Sequence, residues 1–147
     1  MIRELPDGYE LDDDRRRIDI GVVHRFLSEQ SYWAIGRTHA AVVASIEGSQ
    51  RVVGAYYVGE LVGFARVVTD KATFAMLADV FVLAEHRGRG LGVELVSEAV
   101  DRGPYRDLGW WLTTDDAQGL YEKLGFREPS GTTAMQRPRR TQAGTGG

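Results

Sequence analysis

Hydrophobic and polar positions change period twice along this chain. From Asp19 the apolar residues Ile20, Val23, Phe26 and Leu27 recur at three- and four-residue spacings, the period of a helix with one buried face. Thr38–Glu47 predicts a second helix, with Thr38 as N-cap, Val42, Val43 and Ile46 as its stripe, and Gly48 at its end. After Ser49 the period shortens. Arg51–Val58 and Leu61–Thr69 are β-rich runs, and Gly59-Glu60 between them predicts a tight hairpin with glycine first. Thr73–Leu83 reads as a third long strand, after a turn at Asp70-Lys71-Ala72. Leu91, Leu95 and Ala99, spaced by four, place a helix over Leu91–Val100. Gly109–Thr114 then reads as a strand and Ala117–Leu124 as a helix. Tyr9–Leu11 predicts a short first strand, and Phe126–Arg127 and Thr132–Gln136 are expected to close the sheet.

The order β-α-α-β-β-β-α-β-α-β implies an α/β (α+β) mixture. An antiparallel meander feeds one parallel crossover, from Thr73–Leu83 through helix Leu91–Val100 to Gly109–Thr114. A length of 147 residues fits one domain, expected over residues 1–137. Residues 138–147 are polar, glycine-rich and without an apolar anchor, which predicts a flexible C-terminal tail.

Composition narrows the chemistry. A net charge of −3, from 18 basic and 21 acidic residues, gives no overall cationic field, so neither nucleic acid nor membrane is expected as a partner. With 0 cysteines the chain has no disulfide, thiolate zinc site or cysteine nucleophile. No apolar run approaches the ~20 residues of a membrane span. Met1–Glu10 lacks the apolar stretch of a signal peptide, so a cytoplasmic location is expected. His24, His39 and His86 have no metal-site spacing, and no metal is expected.

The 18 glycines are unevenly placed: three of them share His86–Gly92 with two arginines. That segment, His86-Arg87-Gly88-Arg89-Gly90-Leu91-Gly92, joins a strand to a helix. A helix N-terminus carries unpaired N–H groups and partial positive charge. Glycine lets an anion approach the backbone, and Arg87 and Arg89 add planar donors for phosphate oxygens. The chemistry implied is pyrophosphate binding. A dinucleotide fingerprint would need glycine where Val93 stands, and the Gly-Lys-Ser/Thr of a P-loop is absent.

What remains is Arg-x-x-Gly-x-Gly at Arg87, Gly90 and Gly92, after a strand ending Val80-Phe81-Val82. This resembles the acetyl-CoA signature of the GCN5-related N-acetyltransferase (GNAT) superfamily. A second segment, Ala117-Gln118-Gly119-Leu120-Tyr121-Glu122-Lys123-Leu124-Gly125-Phe126, is similar to that superfamily's late helix. The two motifs lie within residues 76–126. Two positions depart from the pattern: Ala84 stands where proline is frequent, and Thr114 where asparagine is frequent.

The resemblance implies a central mixed, mostly antiparallel sheet with helices on both faces, and a parallel strand pair splayed at the acetyl-CoA site. It implies acetyl-CoA as co-substrate, held by Val80, Phe81, Val82, Arg87, Gly88, Arg89, Gly90, Leu91, Gly92, Thr114 and Tyr121. Tyr121 matches the position of a general acid, since a phenol with a reference pKa near ~10 stays protonated at neutral pH. Asp79, a carboxylate interrupting the apolar run Met76–Leu83, is a candidate base, with a structural ion pair to Arg66 as the equal alternative. Tyr32, Trp33 and Arg37, between the first two helices, are expected with Asp79 at the acceptor mouth. An apolar lid, with Arg37 on a surface carboxylate, is the other reading of that loop. Trp110 and Trp111 alternate on what reads as a central strand and are expected in the core.

The expected function is acetyl transfer from acetyl-CoA to a primary amine of a small, amino-acid-like molecule, by a chain that the resemblance allows to be a homodimer. Two alternatives stand beside it. One is a non-catalytic acyl-CoA sensor. The other is acetylation of a protein or aminoacyl-tRNA amine, with the net charge against a tRNA surface.

Overall fold

Alternation in the middle of the chain builds the framework on which everything else packs. In a computed structural model describing residues 1–140, the strands are β1 (Ile2–Glu4), β2 (Tyr9–Asp12), β3 (Arg51–Tyr57), β4 (Glu60–Thr69), β5 (Ala75–Val82) and β6 (Trp110–Trp111). They form one sheet in the order β1-β2-β3-β4-β5-β6. All neighbours are antiparallel except β5 and β6, which run parallel. The helices are α1 (Ile20–Glu29), α2 (His39–Gly48), α3 (Leu91–Val100) and α4 (Gln118–Glu122).

Local signals start two helices where the sequence places them. The Asp19 side chain accepts from the Val22 N–H at α1, and Thr38 accepts from the Ala41 N–H at α2. One face of the sheet, through Val53, Ala55, Ala65, Val67 and Leu77, buries Leu91, Leu95, Val96 and Ala99 of α3. The other, through Val52, Tyr56, Phe64 and Phe81, buries Val23, Phe26, Leu27, Val42 and Ile46 of α1 and α2. Helices on both faces of a mixed sheet are the expected architecture.

Several elements differ from expectation. β1 is additional: Ile2–Glu4 is too short to carry a pattern and exists because β2 offers it a ladder. The β3–β4 turn is Val58-Gly59, one residue earlier than predicted, with Tyr57 paired to Glu60. Both turn residues have positive φ, 48° and 78°, which gives the strand twist a tight hairpin prefers. Glycine adopts it freely, while Val58 carries a steric cost of roughly 1 kcal/mol.

The strand expected over Gly109–Thr114 shrinks to Trp110–Trp111, paired only with Ala75 and Met76. No strand forms at Phe126–Arg127 or Thr132–Gln136; a two-residue β6 offers them no ladder, and Met135 is 93% exposed. The helix expected over Ala117–Leu124 keeps only its centre. Trp111 lies at the sheet edge and is 46% exposed rather than in the core, whereas Trp110 packs against the α3 side. Of the expected tail, residues 138–140 are exposed and irregular, and 141–147 lie outside the described residues.

Candidate active site

The site begins where β5 leaves the regular sheet. Phe64 pairs with Phe81 and Arg66 with Ala78, so Asp79 and Val80 together oppose Ala65. This is a β-bulge, and Asp79 bears its strain with φ of 53°. The bulge changes the parity of the strand. Leu77 and Val80 both pack toward α3, and Asp79 turns to the α1–α2 side. Beyond Met76, β5 has no β6 partner, so its edge from Leu77 to Val82 lies open on that side.

Asp79 is almost fully buried and fully engaged. Its Oδ2 accepts from Arg37 Nη1 at 2.6 Å and Arg66 Nε at 2.7 Å, and its Oδ1 accepts from Trp33 Nε1 at 2.8 Å. Burial alone would raise its pKa, but the Arg66 and Arg37 guanidiniums and the Trp33 bond hold it below the ordinary carboxylate value. Arg66 Nη1 also donates to Ser49 Oγ at 3.3 Å. The ion pair to Arg66 is therefore present, and the loop residues Trp33 and Arg37 reach the same carboxylate. The Arg37 backbone is fixed as well: its N–H donates to Ala34 O at 3.0 Å, and its carbonyl meets His24 Nε2 at 3.1 Å. Tyr32 stands apart from this cluster, accepting the Asp115 N–H on its hydroxyl at 2.8 Å.

From Val82 the chain passes through a short 3-10 turn, Ala84–His86, into the glycine segment. Arg87 Nε donates to the Val82 carbonyl at 2.9 Å, tying the turn to its strand. Gly88 and Gly90 have φ of 78° and 77°, and a Cβ at either would meet nothing within 4 Å. Backbone conformation, not crowding, demands glycine there, and open space lies in front of it. Gly90 is the N-cap of α3 and supplies no side-chain acceptor, so the first N–H groups of the helix stay uncapped. Arg89, Gly90 and Leu91 line a cleft of about 220 Å³ with Leu5, Tyr9 and Glu94. Gly92 has a different task. A Cβ there would stand 3.1 Å from Leu120 Cδ1, so this glycine lets α4 approach α3.

Tyr121, on α4, packs with Val80 and Val82 against the α3-side core, and its ring meets Phe126 edge-on at 5.8 Å. Burial, then the neighbouring Tyr32 and Asp116, push its hydroxyl up to about 12. Thr114 Oγ1 accepts the Ala117 N–H at 3.1 Å and so organises the start of α4. Tyr121 and Thr114 line a larger cleft of about 1100 Å³ together with Trp111 and Phe126.

Residues 48–128 match the acetyltransferase (GNAT) domain family. The chain belongs to this family. Among solved structures, a GNAT-family protein of Xanthomonas campestris pv. campestris is 39% identical, with 92% of this chain and 96% of that one covered and a TM-score of 0.84. The glucosamine-6-phosphate N-acetyltransferase of Arabidopsis thaliana is 15% identical, with 92% and 100% covered and a TM-score of 0.63, a likeness of fold alone. Among curated proteins, GCN5-related N-acetyltransferase 2, chloroplastic, of Arabidopsis thaliana is 38% identical over 79 residues, 52% of this chain and 31% of that protein. The GNAT chain spans only 31–43% of the length of three curated relatives it matches. Among the described residues no helix is long and apolar enough to cross a membrane.

Within this candidate site the sequence-expected residues fall into three groups. Trp33, Arg37 and Asp79 meet at the bulge; Arg87 to Leu91 form the turn and helix start; Tyr121 and Thr114 belong to α4 and its approach. Three contributors went unassigned: His24, which fixes Arg37, Ser49, which holds Arg66, and Asp115, which holds Tyr32. All three act through contacts between segments distant in sequence, and no local pattern marks them.

Proposed function

We propose that this chain is an acetyl-CoA-dependent N-acetyltransferase whose acceptor is a primary amine of a small, amino-acid-like molecule. The observation that carries the reading is the continuity of two features: the edge of β5 that loses its partner after Met76, and the uncapped α3 N-terminus that follows through the glycine turn. One offers backbone donors to an extended amide-bearing arm, and the other offers N–H groups to a pyrophosphate. The residues present fit acetyl-CoA on that test. Gly88 and Gly90 keep the approach open, and Arg87 and Arg89 flank it, both exposed. Val80, Phe81 and Val82 supply the strand edge, while Gly92 brings α4 close to it.

Acetyl-CoA supplies an activated thioester. The acceptor nitrogen bonds to the acetyl carbon, the carbon–sulfur bond breaks, and the proton leaving nitrogen passes to water. Tyr121 donates its hydroxyl proton to the departing sulfur and is reprotonated from water. Unpaired backbone N–H groups on the β5 edge near Val82 would be the donors to the oxygen on which negative charge develops. Asp79, already shared by two guanidiniums and an indole N–H, acts in this reading as a fixed anion that shapes the acceptor side, and water serves as the base.

The test is calorimetric titration with acetyl-CoA alongside CoA release over a panel of primary amines. Donor binding together with amine-dependent CoA release and N-acetylated product is expected. Donor binding without release for any amine, peptide or aminoacyl-tRNA supports the sensor reading and overturns this one. Light scattering on the same preparation tests the homodimer.

A further inference from the structure

The charges around Asp79 do not cancel. One carboxylate is paired with two guanidiniums, which leaves a local charge of +1 inside a protein whose net charge is −3. The donors do not cancel either. A guanidinium has five N–H groups in a planar fork. Arg66 directs Nε to Asp79 and Nη1 to Ser49. Arg37 directs only Nη1 to Asp79, and its Nε and Nη2 have no partner among the described residues. The Arg37 side chain is 23% exposed, so those donors sit at the rim of the cluster rather than in bulk water.

Arg37 is also held in place before any ligand arrives. Its own N–H and carbonyl are bonded, its neighbour Thr38 caps α2, and Asp79 fixes the orientation of the guanidinium. A carboxylate has roughly four lone-pair sites, of which Asp79 has three engaged, so it has little left for an ammonium group. Trp33, bonded to the same carboxylate, stands beside this fork, and the half-exposed Tyr32 ring meets it edge-on at 5.0 Å.

Resting on the transferase reading above, we infer that Arg37 binds an anionic group of the acceptor and that Asp79 is its positioning residue. The acceptor is then an amine that also carries a carboxylate or a phosphate, and polycationic amines are disfavoured. A pre-oriented guanidinium fork matches the oxygen geometry of either anion. A second ammonium in the same place would meet uncompensated positive charge.

The experiment compares matched amines that differ in one charge. Initial rates of CoA release are measured for amino acids against their amides, phosphoethanolamine against ethanolamine, and spermidine. The anionic member of a pair should exceed its neutral counterpart in kcat/KM by about tenfold to a hundredfold, the range of a charge-assisted hydrogen bond. The carboxylate and phosphate pairs show which anion is read. Arg37→Gln should close the gap through KM with kcat little changed, and Arg37→Lys should restore part of it. Equal or better rates for the amides, ethanolamine or spermidine overturn the inference, as does a gap that survives Arg37→Gln. If no amine releases CoA, the transferase reading falls. The anion claim is then decided by calorimetry of the CoA-loaded protein with N-acetylated amino acids and their amides, where equal affinity overturns it and tighter binding of the acids supports it.

Discussion

The hydroxyl of Tyr32 accepts the backbone N–H of Asp115 at 2.8 Å, joining the α1–α2 loop to the approach of α4 across 83 residues of sequence. Tyr32 meets Trp33 edge-on, and Trp33 donates to Asp79. A continuous path of side chains therefore bridges the gap left where β5 and β6 part. We predict that Tyr32→Phe opens this strap while leaving the fold intact. The lost bond is solvent-exposed and worth at most about 1 kcal/mol. Amide hydrogen exchange at Asp115 should accelerate and KM for the acceptor should rise several-fold. Unchanged exchange at Asp115 would show that the contact does not order the loop.

Asp79→Asn tests the charge cluster through stability. The carboxylate is held below its ordinary value near 3.8 despite burial, so in this pH region the unfolded chain binds more protons than the native one. Its contribution is therefore fully present above that value and is lost as pH falls through the lower native pKa. The substitution leaves Arg37 and Arg66 facing each other without a counter-charge. It should cost about 2–4 kcal/mol at neutral pH, at the lower side of a broken buried pair because both arginines are partly exposed. Thermal melts of both proteins from pH 7 to pH 3 check it: the difference should shrink toward the acid end. A constant difference would mean that folding leaves the Asp79 pKa unshifted, and one that grew toward the acid end would mean that the carboxyl is neutral in the native protein.

How far the sequence reaches depends on how local each cause is. α1 and α2 begin where Asp19 and Thr38 stand, because a cap is a contact within one turn. Gly88 and Gly90 announce their turn for the same reason: positive φ is a property of single residues. Strands at the edge are not local. Thr132–Gln136 looks able to pair and does not, because the register of β6 stops after Trp111. The same limit applies at the site. The pairing of Asp79 with Arg66 is readable from adjacent strands, but a bulge at Asp79–Val80 turns that carboxylate toward Arg37 and Trp33. Gly92 read as part of the anion turn, and only the packing of Leu120 reveals that it serves the contact between α3 and α4.

That difference between glycines gives the next prediction. At Gly90 a new side chain enters open space but must adopt φ of 77°, which costs about 1–2 kcal/mol and disturbs the helix start. Gly90→Val should weaken acetyl-CoA binding at least tenfold, with a modest fall in Tm. At Gly92 the backbone is ordinary and the space is taken by Leu120. Gly92→Val should instead displace α4, which carries Tyr121, and lower kcat more than donor affinity. Titration calorimetry and steady-state rates on both variants separate the two, and equal patterns would refute the division of labour.

Tyr121→Phe bears on the chemistry itself. With its hydroxyl pushed up to about 12, Tyr121 stays protonated throughout any practical assay range. The same shift limits its strength as an acid. Passing a proton from a group at about 12 to a thiolate whose conjugate acid has a reference pKa near ~8.5 is uphill. Its benefit therefore belongs at the low end of general-acid effects, about a hundredfold in kcat. Tyr121→Phe keeps the ring against Phe126 and the α3-side cluster, so acetyl-CoA affinity and Tm should hardly move while kcat falls by about that factor. Titration of Tyr121 should produce no alkaline fall in rate below pH 10, and the variant should keep the same profile shape at a lower level. A fall near pH 9 that disappears in Tyr121→Phe would place the group's pKa far below this value and make it a stronger acid than its surroundings allow.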